Sequence, residues 1–377
     1  MHRLRSSASL LAFALILGGA AGCAGGRDTI RIGLAGPFSE ERGRSMLLSA
    51  QMAVREINAR GGVRGRRLEL VVRDDSARPA RAVLVAGALR DDRSVVAVVG
   101  HLTSATTLVA AATYNSGSDP IVNITPSAST PELSGIGRYT FRVCASDSLH
   151  GVALARWAYS RLNAHSVEVL YLNDEYGRGV ANAFGAEFLR LGGTVIDRDP
   201  FLTGSTDFSA YLDRMGAQAR AGAIVVGGPR TSGTLILRQA RERGITIPLL
   251  GADALSGIQG EGAVAEGVFL SSNYLPDIDT PANVAFVRAY GQANGGALPD
   301  HRGAGAYDAV HLIAEAVRDA GVSRRGVRDA IAQLGGVRAA YVGVTGRIAF
   351  DRNGDVPGKQ VLVGVVRGGR LVTAEGQ

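Results

Sequence analysis

Lysine is nearly absent from this sequence, and arginine carries its positive charge. Lys359 is the only lysine among 377 residues, although the net charge is +7. The arginines are interspersed with acidic residues, as where residues 64–67 (Arg-Gly-Arg-Arg) precede Asp74 and Asp75, and no basic run is interleaved with aromatic residues. A nucleic-acid-binding surface needs such a run, so the charge pattern argues against one. Hydrophobic residues at 46% and charged residues at 20% are typical of a folded globular protein instead.

The sequence also lacks an N-terminal apolar run of membrane-spanning length. The run 10–17 follows a basic start and leads into small residues up to Cys23. A spanning helix needs about 20 apolar residues, so the pattern predicts a signal peptide over residues 1–22. Residues 21–23, Ala-Gly-Cys, resemble the end of a bacterial lipoprotein signal, in which the cysteine is acylated, although Ala20 replaces the usual leucine. The alternative is ordinary cleavage after small residues, which would leave Cys23 as a free thiol.

Cysteine is scarce, since Cys144 is the only one besides Cys23. If Cys23 is acylated, no disulfide can form within the chain. Cys144 ends the alternating segment 139–144, which is typical of a strand, so we expect a buried and inert thiol there.

The motifs of common catalytic sites are missing as well. The sequence has no Gly-x-Ser-x-Gly elbow, no phosphate-binding P-loop and no Gly-x-Gly-x-x-Gly fingerprint after its first strand. The six histidines show no metal-ligand spacing. His101 and Ser104 lie close enough to suggest a base and a nucleophile, but neighbouring loop residues rarely orient each other well. We therefore predict neither an enzyme nor a bound cofactor or metal.

Apolar β-rich runs alternate with amphipathic helical runs along most of the chain. The pattern predicts strands at 29–35, 68–73, 95–100, 120–124, 166–172, 193–200, 223–227, 248–251 and 267–271, with a final hairpin at 360–366 and 370–373. It predicts helices at 44–59, 78–91, 106–115, 152–162, 180–191, 208–219, 232–243, 283–292 and 304–320. Such alternation indicates βαβ units and parallel sheets covered by helices on both faces. The pattern restarts near 142–149, which predicts two doubly wound α/β lobes.

Four loops that follow predicted strands are rich in polar side chains. Parallel α/β sheets bind ligands beyond the carboxyl ends of their strands, where loops lead into helix N-termini. In the first lobe the loops 101–107 and 125–132 carry many hydroxyl groups, which suit a ligand carboxylate but would also serve as helix caps. In the second lobe Asp253 follows a strand, where it could hold an ammonium group, and Tyr176 is placed to cover an apolar side chain.

Several of these segments together resemble a known family. Residues 100–104 (Gly-His-Leu-Thr-Ser) and 124–133 (Ile-Thr-Pro-Ser-Ala-Ser-Thr-Pro-Glu-Leu) closely resemble the branched-chain amino-acid-binding proteins of bacterial ABC importers. Residues 54–65, Asp74 with Asp75, and the segment 350–355 also resemble the corresponding segments of this family. The similarity runs from about residue 30 to about residue 366.

The resemblance implies a type I periplasmic-binding fold, with two α/β lobes joined by three crossing strands and a hinge that closes on the ligand. With the linker that the sequence itself predicts at 23–28, it gives a first lobe of residues 29–145 and 274–349 and a second lobe of residues 146–273 and 350–377. It also implies an extracytoplasmic protein that delivers a small amino-acid-like ligand to a transporter permease, held at the membrane if Cys23 is acylated. The ligand-binding residues that it implies are Thr103, Ser104, Ser127, Ala128, Ser129, Tyr176 and Asp253.

The sequence departs from the family at several positions. Ala77 and Thr103 replace two cysteines that form a disulfide in well-known members. Aromatic residues of the family's side-chain pocket are replaced at about Arg42 and at about Pro229, which is followed by Arg230, and Tyr307 is a further candidate for that pocket. A polar or acidic ligand side chain could meet the arginines, although solvent-facing arginines are the simpler alternative. A ligand-sensing module of the same fold and a secreted hydrolase using Ser104 are the other functions considered.

Overall fold

The computed structural model describes residues 29–218 and 221–376 of the chain. The predicted signal peptide and Cys23 lie outside these residues. Within them, no helix is both long enough and apolar enough to cross a bilayer.

The first five strands form a parallel sheet with the order β2-β1-β3-β4-β5. The strands are β1 Thr29–Gly36, β2 Arg67–Asp74, β3 Val95–Val99, β4 Val122–Thr125 and β5 Thr140–Arg142. The helices between them are α1 Glu41–Ala59, α2 Pro79–Asp91 and α3 Ser104–Tyr114. All residues of β3 and β4 are buried, as expected for central strands covered on both faces.

The second sheet has seven strands in the order β14-β13-β10-β9-β8-β6-β7, of which β6 to β10 are parallel and β13 and β14 are antiparallel. Its strands are β6 Ser166–Leu172, β7 Thr194–Phe201, β8 Ala223–Gly227, β9 Leu249–Gly251, β10 Phe269–Ser272, β13 Leu362–Arg367 and β14 Arg370–Thr373. Its helices are α4 Asp147–Ser160, α5 Glu175–Arg190, α6 Ser209–Gln218 and α7 Arg230–Glu242. The helices α4 and α5 cover one face, and α6 and α7 cover the other.

The chain returns to the first lobe after β10. This segment forms α8 Pro281–Ala293, α9 His301–Ala320, α10 Arg324–Ala332 and the short hairpin of β11 Tyr341–Gly343 and β12 Gly346–Ile348. Apolar residues of α9 and α10 join α1 in the core on one face of the first sheet, while α2 and α3 cover the other face. The two α/β lobes that the sequence pattern predicts, and the three crossings that the family resemblance implies, are thereby confirmed.

The first lobe extends further along the chain than the sequence suggested. Phe350 and Val356 pack in the core of the first lobe, and the ring of Phe350 meets that of Phe141 edge-on with the ring centroids 5.0 Å apart. The last crossing therefore lies after Val356, between the first core and β13, rather than after Ala349.

Candidate functional site

The loop after β3 leads into the N-terminus of α3. Thr103 is the N-cap of α3, and its hydroxyl oxygen accepts a hydrogen bond from the amide of Thr106 at 3.3 Å. Ser104 is the first helical residue and is 5% exposed. The first amides of a helix have no intrahelical acceptor, and they attract an anion such as a carboxylate. The Thr103 hydroxyl is therefore used as a cap, and Ser104 is the residue best placed to meet a ligand.

Buried hydrogen bonds hold this loop in place. His101 Nδ1 lies 2.5 Å from Asp75 Oδ2, and His101 Nε2 lies 3.1 Å from the Tyr114 hydroxyl. All three side chains are fully buried. Gly100 has a positive φ of 134°, and a Cβ there would overlap the carbonyl oxygen of Ala35, so only glycine fits. His101 contacts Asp75 and Tyr114 and is not paired with Ser104, which removes the basis for a hydrolase.

The loop after β4 lies against the Ser104 loop. Ser104 Oγ accepts a hydrogen bond from the amide of Thr130 at 3.3 Å. Arg142 Nη1 donates to the carbonyl oxygens of Ser129 and Thr130 at 2.9 and 2.8 Å. Ser129 is 1% exposed, yet its hydroxyl has no hydrogen-bond partner among the described residues. The hydroxyl of Ser129 is thus the group of this loop that is left for a ligand.

Ala128 and Cys144 make hydrogen bonds that hold the loop after β4 in place. The Ala128 amide donates to Thr125 Oγ1 at 2.9 Å, and its carbonyl oxygen accepts from the Cys144 thiol at 3.3 Å. Cys144 is free and buried, and burial raises the pKa of its thiol to about 12. This protonated thiol fits the expectation of an inert cysteine.

Asp253 faces this loop from the second lobe. It is the second residue after β9 and is 2% exposed. Its Oδ1 accepts a hydrogen bond from the Tyr176 hydroxyl at 3.1 Å, and that hydroxyl accepts one from the Ala254 amide at 3.1 Å. Its Oδ2 has no hydrogen-bond partner among the described residues. Tyr176 therefore orients the carboxylate by one oxygen and leaves the other for a ligand.

Asp147 is a second buried carboxylate, which the sequence analysis missed. It is the first residue of α4, is fully buried, and has no hydrogen-bond partner for either oxygen among the described residues. Burial raises the pKa of Asp147 well above its ordinary value, and the neighbouring charge of Asp253 raises it further. The hydroxyl of Ser129 lies close enough to this carboxylate to lower its pKa in part.

Two buried histidines flank Asp253, and the sequence analysis gave them no role. His301, the first residue of α9 in the first lobe, has its Nε2 3.5 Å from Asp253 Oδ2 and 3.3 Å from Ser127 Oγ. His150 in the second lobe has its Nε2 3.9 Å from the same oxygen. Burial lowers the pKa of His301 to about 4 and also lowers that of His150. Burial alone would raise the pKa of Asp253, but the histidines and Arg302 outweigh it and keep that pKa low.

The three residues assigned to a side-chain pocket have other contacts. Arg42 Nε lies 2.6 Å from Glu40 Oε2, and Arg230 Nη2 lies 2.5 Å from Glu41 Oε2, which joins the two lobes. The Tyr307 hydroxyl donates to a Glu56 oxygen at 2.5 Å, and the Tyr307 ring packs against Phe286 and His311. Each arginine is thus already balanced by a carboxylate, and the described contacts of Tyr307 lie within the first lobe.

The arrangement is suited to holding both charges of a zwitterion. The first lobe offers a helix N-terminus and hydroxyl groups for an anion, while Asp253 and Asp147 offer unpartnered carboxylate oxygens for a cationic donor. Among residues 29–218 and 221–376, no group of three or more His, Cys, Asp and Glu side chains could hold a metal ion.

Comparison with known proteins agrees with this geometry. The model of a family described as periplasmic binding protein matches residues 29–370. The leucine-, isoleucine-, valine-, threonine- and alanine-binding protein of Pseudomonas aeruginosa is 30% identical over 363 residues, which are 92% of this chain and 92% of that protein. The Leu/Ile/Val-binding protein of Escherichia coli K12 is 30% identical over 271 residues, which are 70% of this chain and 72% of that protein.

A solved structure agrees as well. The branched-chain amino acid transporter substrate-binding protein of Streptococcus pneumoniae, in complex with isoleucine, has a TM-score of 0.85 and 30% identity, with 92% of this chain and 99% of that chain covered. The chain belongs to the periplasmic binding protein family, whose members are extracytoplasmic solute-binding proteins rather than enzymes.

Proposed function

We propose that this protein binds an α-amino acid as a zwitterion between its lobes and delivers it to the permease of an ABC importer. The observation that carries the proposal is the set of buried oxygen atoms without partners, on Ser129 in the first lobe and on Asp147 and Asp253 in the second. Buried acceptors of this kind are costly unless they receive hydrogen bonds. The ammonium group of an amino acid has three hydrogen-bond donors and a positive charge, so it can donate hydrogen bonds to these oxygen atoms.

The carboxylate of the ligand binds on the first-lobe side of the site. The α3 N-terminus with Ser104, together with the Ser129 loop, provides amides and hydroxyl groups within the first lobe. The ligand docks there first, and closure then brings Asp253 and Tyr176 onto it. Closure is favoured by contacts that exist only when the lobes meet, such as the ion pair of Arg230 with Glu41. The names of the relatives, which are binding proteins for amino acids, support the same ligand class.

The protein is also proposed to be a lipoprotein anchored through Cys23. The basic, apolar and small-residue pattern before Cys23 supports this. Cells that express the full chain should carry it in the membrane fraction, and Cys23→Ala should shift it to the soluble fraction. A protein that fractionates identically with and without Cys23 would refute the anchor.

Replacing Asp253 tests the proposed site. Asp253→Asn removes the charge that pairs with the ammonium group, so amino-acid binding should weaken by about 1.5–3 kcal/mol, or roughly 10- to 150-fold. Calorimetry with the amino acid found by a ligand screen measures this. Asp277→Asn is the matched control, because Asp277 accepts its hydrogen bonds from Thr373 at an exposed position. Equal affinities of parent and Asp253→Asn would remove Asp253 from the site.

A further inference from the structure

Two buried histidines approach the carboxylate of Asp253 from different lobes. His301 begins α9 in the first lobe, and its Nε2 lies 3.5 Å from Asp253 Oδ2. His150 belongs to α4 in the second lobe, and its Nε2 lies 3.9 Å from the same oxygen. The side chains of His301 and His150 are 1% and 0% exposed. Because Asp253 is part of the second lobe, the contact with His301 depends on closure of the lobes, whereas the contact with His150 does not.

The charged neighbours of His301 act on its pKa in both directions. Burial is the largest cause and lowers the pKa, and the positive charge of Arg302 lowers it as well. The carboxylates of Asp253 and Asp300 raise the pKa, while His150 lowers it. Together these groups bring the pKa of His301 to about 4. The ring is therefore neutral at pH 7 when the lobes are closed.

The other polar groups beside His301 keep one charge state around neutral pH. Tyr274 and Arg370 line a surface depression that His301 also borders. Burial raises the pKa of Tyr274 still further above its ordinary value, and a guanidinium group stays protonated. The Ser127 hydroxyl, which lies 3.3 Å from His301 Nε2, carries no charge. None of these three groups can therefore replace His301 as a group that titrates near neutral pH.

Opening of the cleft changes the surroundings of His301. It withdraws Asp253 and lets water reach the imidazole, which removes the largest cause of the lowered pKa. Asp300 and Arg302 stay beside His301 because they are its neighbours in the chain. The pKa of His301 thus rises on opening toward the ordinary value of about 6.5 and falls again on closure. A ligand ammonium group held by Asp253 lowers this pKa further, because two nearby positive charges repel each other.

We propose that binding of the amino acid is coupled to release of a proton from His301 to the solvent, so that the affinity is highest near neutral pH and falls as the pH drops toward 5. The proposal rests on the proposed amino-acid function and adds the pH dependence of the same site. A group that loses a proton on binding weakens binding by up to about tenfold per pH unit between its bound and free pKa values. A bound ammonium group also favours neutral His150 and ionised Asp147, so these groups add to the effect.

Counting released protons by calorimetry tests the proposal. Titrations at pH 5.5 in two buffers with different ionisation enthalpies give the number of protons released. The probes are the protein amino acids other than histidine and cysteine, because these do not titrate between pH 5.5 and 7.5, and the tightest binder at pH 7.5 is used throughout. Its affinity for the parent should fall at least about threefold from pH 7.5 to 5.5, with release of more than about half a proton at pH 5.5.

His301→Gln separates the part of this effect that belongs to His301. The variant should release fewer protons than the parent by about half a proton or more, and its affinity should fall about three- to tenfold less over the same pH range. His311→Gln is the matched control. Burial lowers the pKa of His311 to about 4 as well, but its ring packs against Tyr307 within α9, so its surroundings do not change when the lobes move. His311→Gln should keep the proton release of the parent.

The outcomes separate this proposal from the function on which it rests. A parent protein that binds the amino acid without proton release at pH 5.5 would overturn the coupling and leave the amino-acid function in place, whether or not His301→Gln folds. Equal proton release by the parent and His301→Gln would overturn it too, since the proton would then come from another group. If none of the probes binds at pH 7.5, the proposed function itself fails.

Discussion

At the scale of single residues, the ionised form of Asp147 destabilises the ligand-free protein but favours binding of an ammonium group. Its carboxylate is buried and unpartnered, and its pKa is raised well above 3.8. A carboxyl group whose pKa is raised in the folded state contributes stability below the pKa of the unfolded chain, and this contribution is lost as the pH rises through the folded-state pKa. An ammonium ligand favours the ionised form of Asp147, so ligand binding should compensate for this loss.

Asp147→Asn should therefore stabilise the ligand-free protein and weaken ligand binding. The asparagine amide cannot ionise, so it avoids the cost of burying a carboxylate charge, and each kcal/mol avoided corresponds to about 2–4 °C in Tm. The gain in Tm over the parent should grow as the pH rises from 3.8 upward, and scanning calorimetry over pH measures it.

The exposed change Asp279→Asn serves as the control for Asp147→Asn. Parallel Tm curves for parent and Asp147→Asn at every pH would contradict the role given to the buried carboxylate.

Several candidate residues could be predicted from their order in the sequence, but their contacts could not. The sequence predicts Ser104, Ser129 and Asp253 as ligand-binding residues because polar loops follow buried strands, and the structure brings these loops close together. The sequence predicts that Tyr176 covers an apolar side chain, and the structure adds that its hydroxyl donates a hydrogen bond to Asp253. That hydrogen bond joins two loops 77 residues apart, and no local pattern encodes it.

At the scale of elements, the starts of two helices explain what was missed. The apolar period predicted helices from residues 152 and 304, but α4 begins at Asp147 and α9 at His301. Both helices begin with polar residues after the N-cap, Asp147 and Ser148 in α4 and His301 and Arg302 in α9, so the apolar period starts only further along. The N-caps Ser146 and Asp300 are the signals that could have located these starts. Placing the starts late removed Asp147, His150 and His301 from the predicted helices and from the predicted site.

The close packing of α9 on α1 gives a test at this scale. A Cβ at Gly303 would overlap the Ser45 hydroxyl and lie 3.0 Å from the Ser45 carbonyl oxygen, so Gly303→Ala should destabilise the protein by about 1–3 kcal/mol. Gly87→Ala in α2 is the matched control, because nothing lies within 4 Å of a Cβ there and alanine should stabilise the helix by about 0.5–1 kcal/mol. Denaturant unfolding measures both changes. Equal effects of the two substitutions would contradict the described packing.

At the scale of the whole molecule, the two-lobed architecture was predictable, since strands and helices alternate over nearly the whole chain and their pattern restarts once. The last boundary between the lobes, after Val356, was not predictable from the sequence. It depends on the packing of Phe350 and Val356 against residues that are far away in the sequence. The three crossings together decide which side of each lobe faces the other, so this too could not be predicted from the order of strands and helices alone. The cleft combines an anion-binding helix N-terminus in one lobe with carboxylates in the other.

The central claim is that this cleft recognises the carboxylate and the ammonium group of one amino acid together. A thermal-shift measurement on the purified protein tests it most directly, with each α-amino acid compared with its des-amino acid and its carboxamide. At a concentration 100 times its Kd, a ligand stabilises by about 2.7 kcal/mol, or roughly 5–10 °C in Tm. We predict that at least one amino acid gives such a shift, while both of its analogues fail to do so. An equal shift from the des-amino acid, or a shift from simple carboxylates such as benzoate but from no amino acid, would contradict the claim.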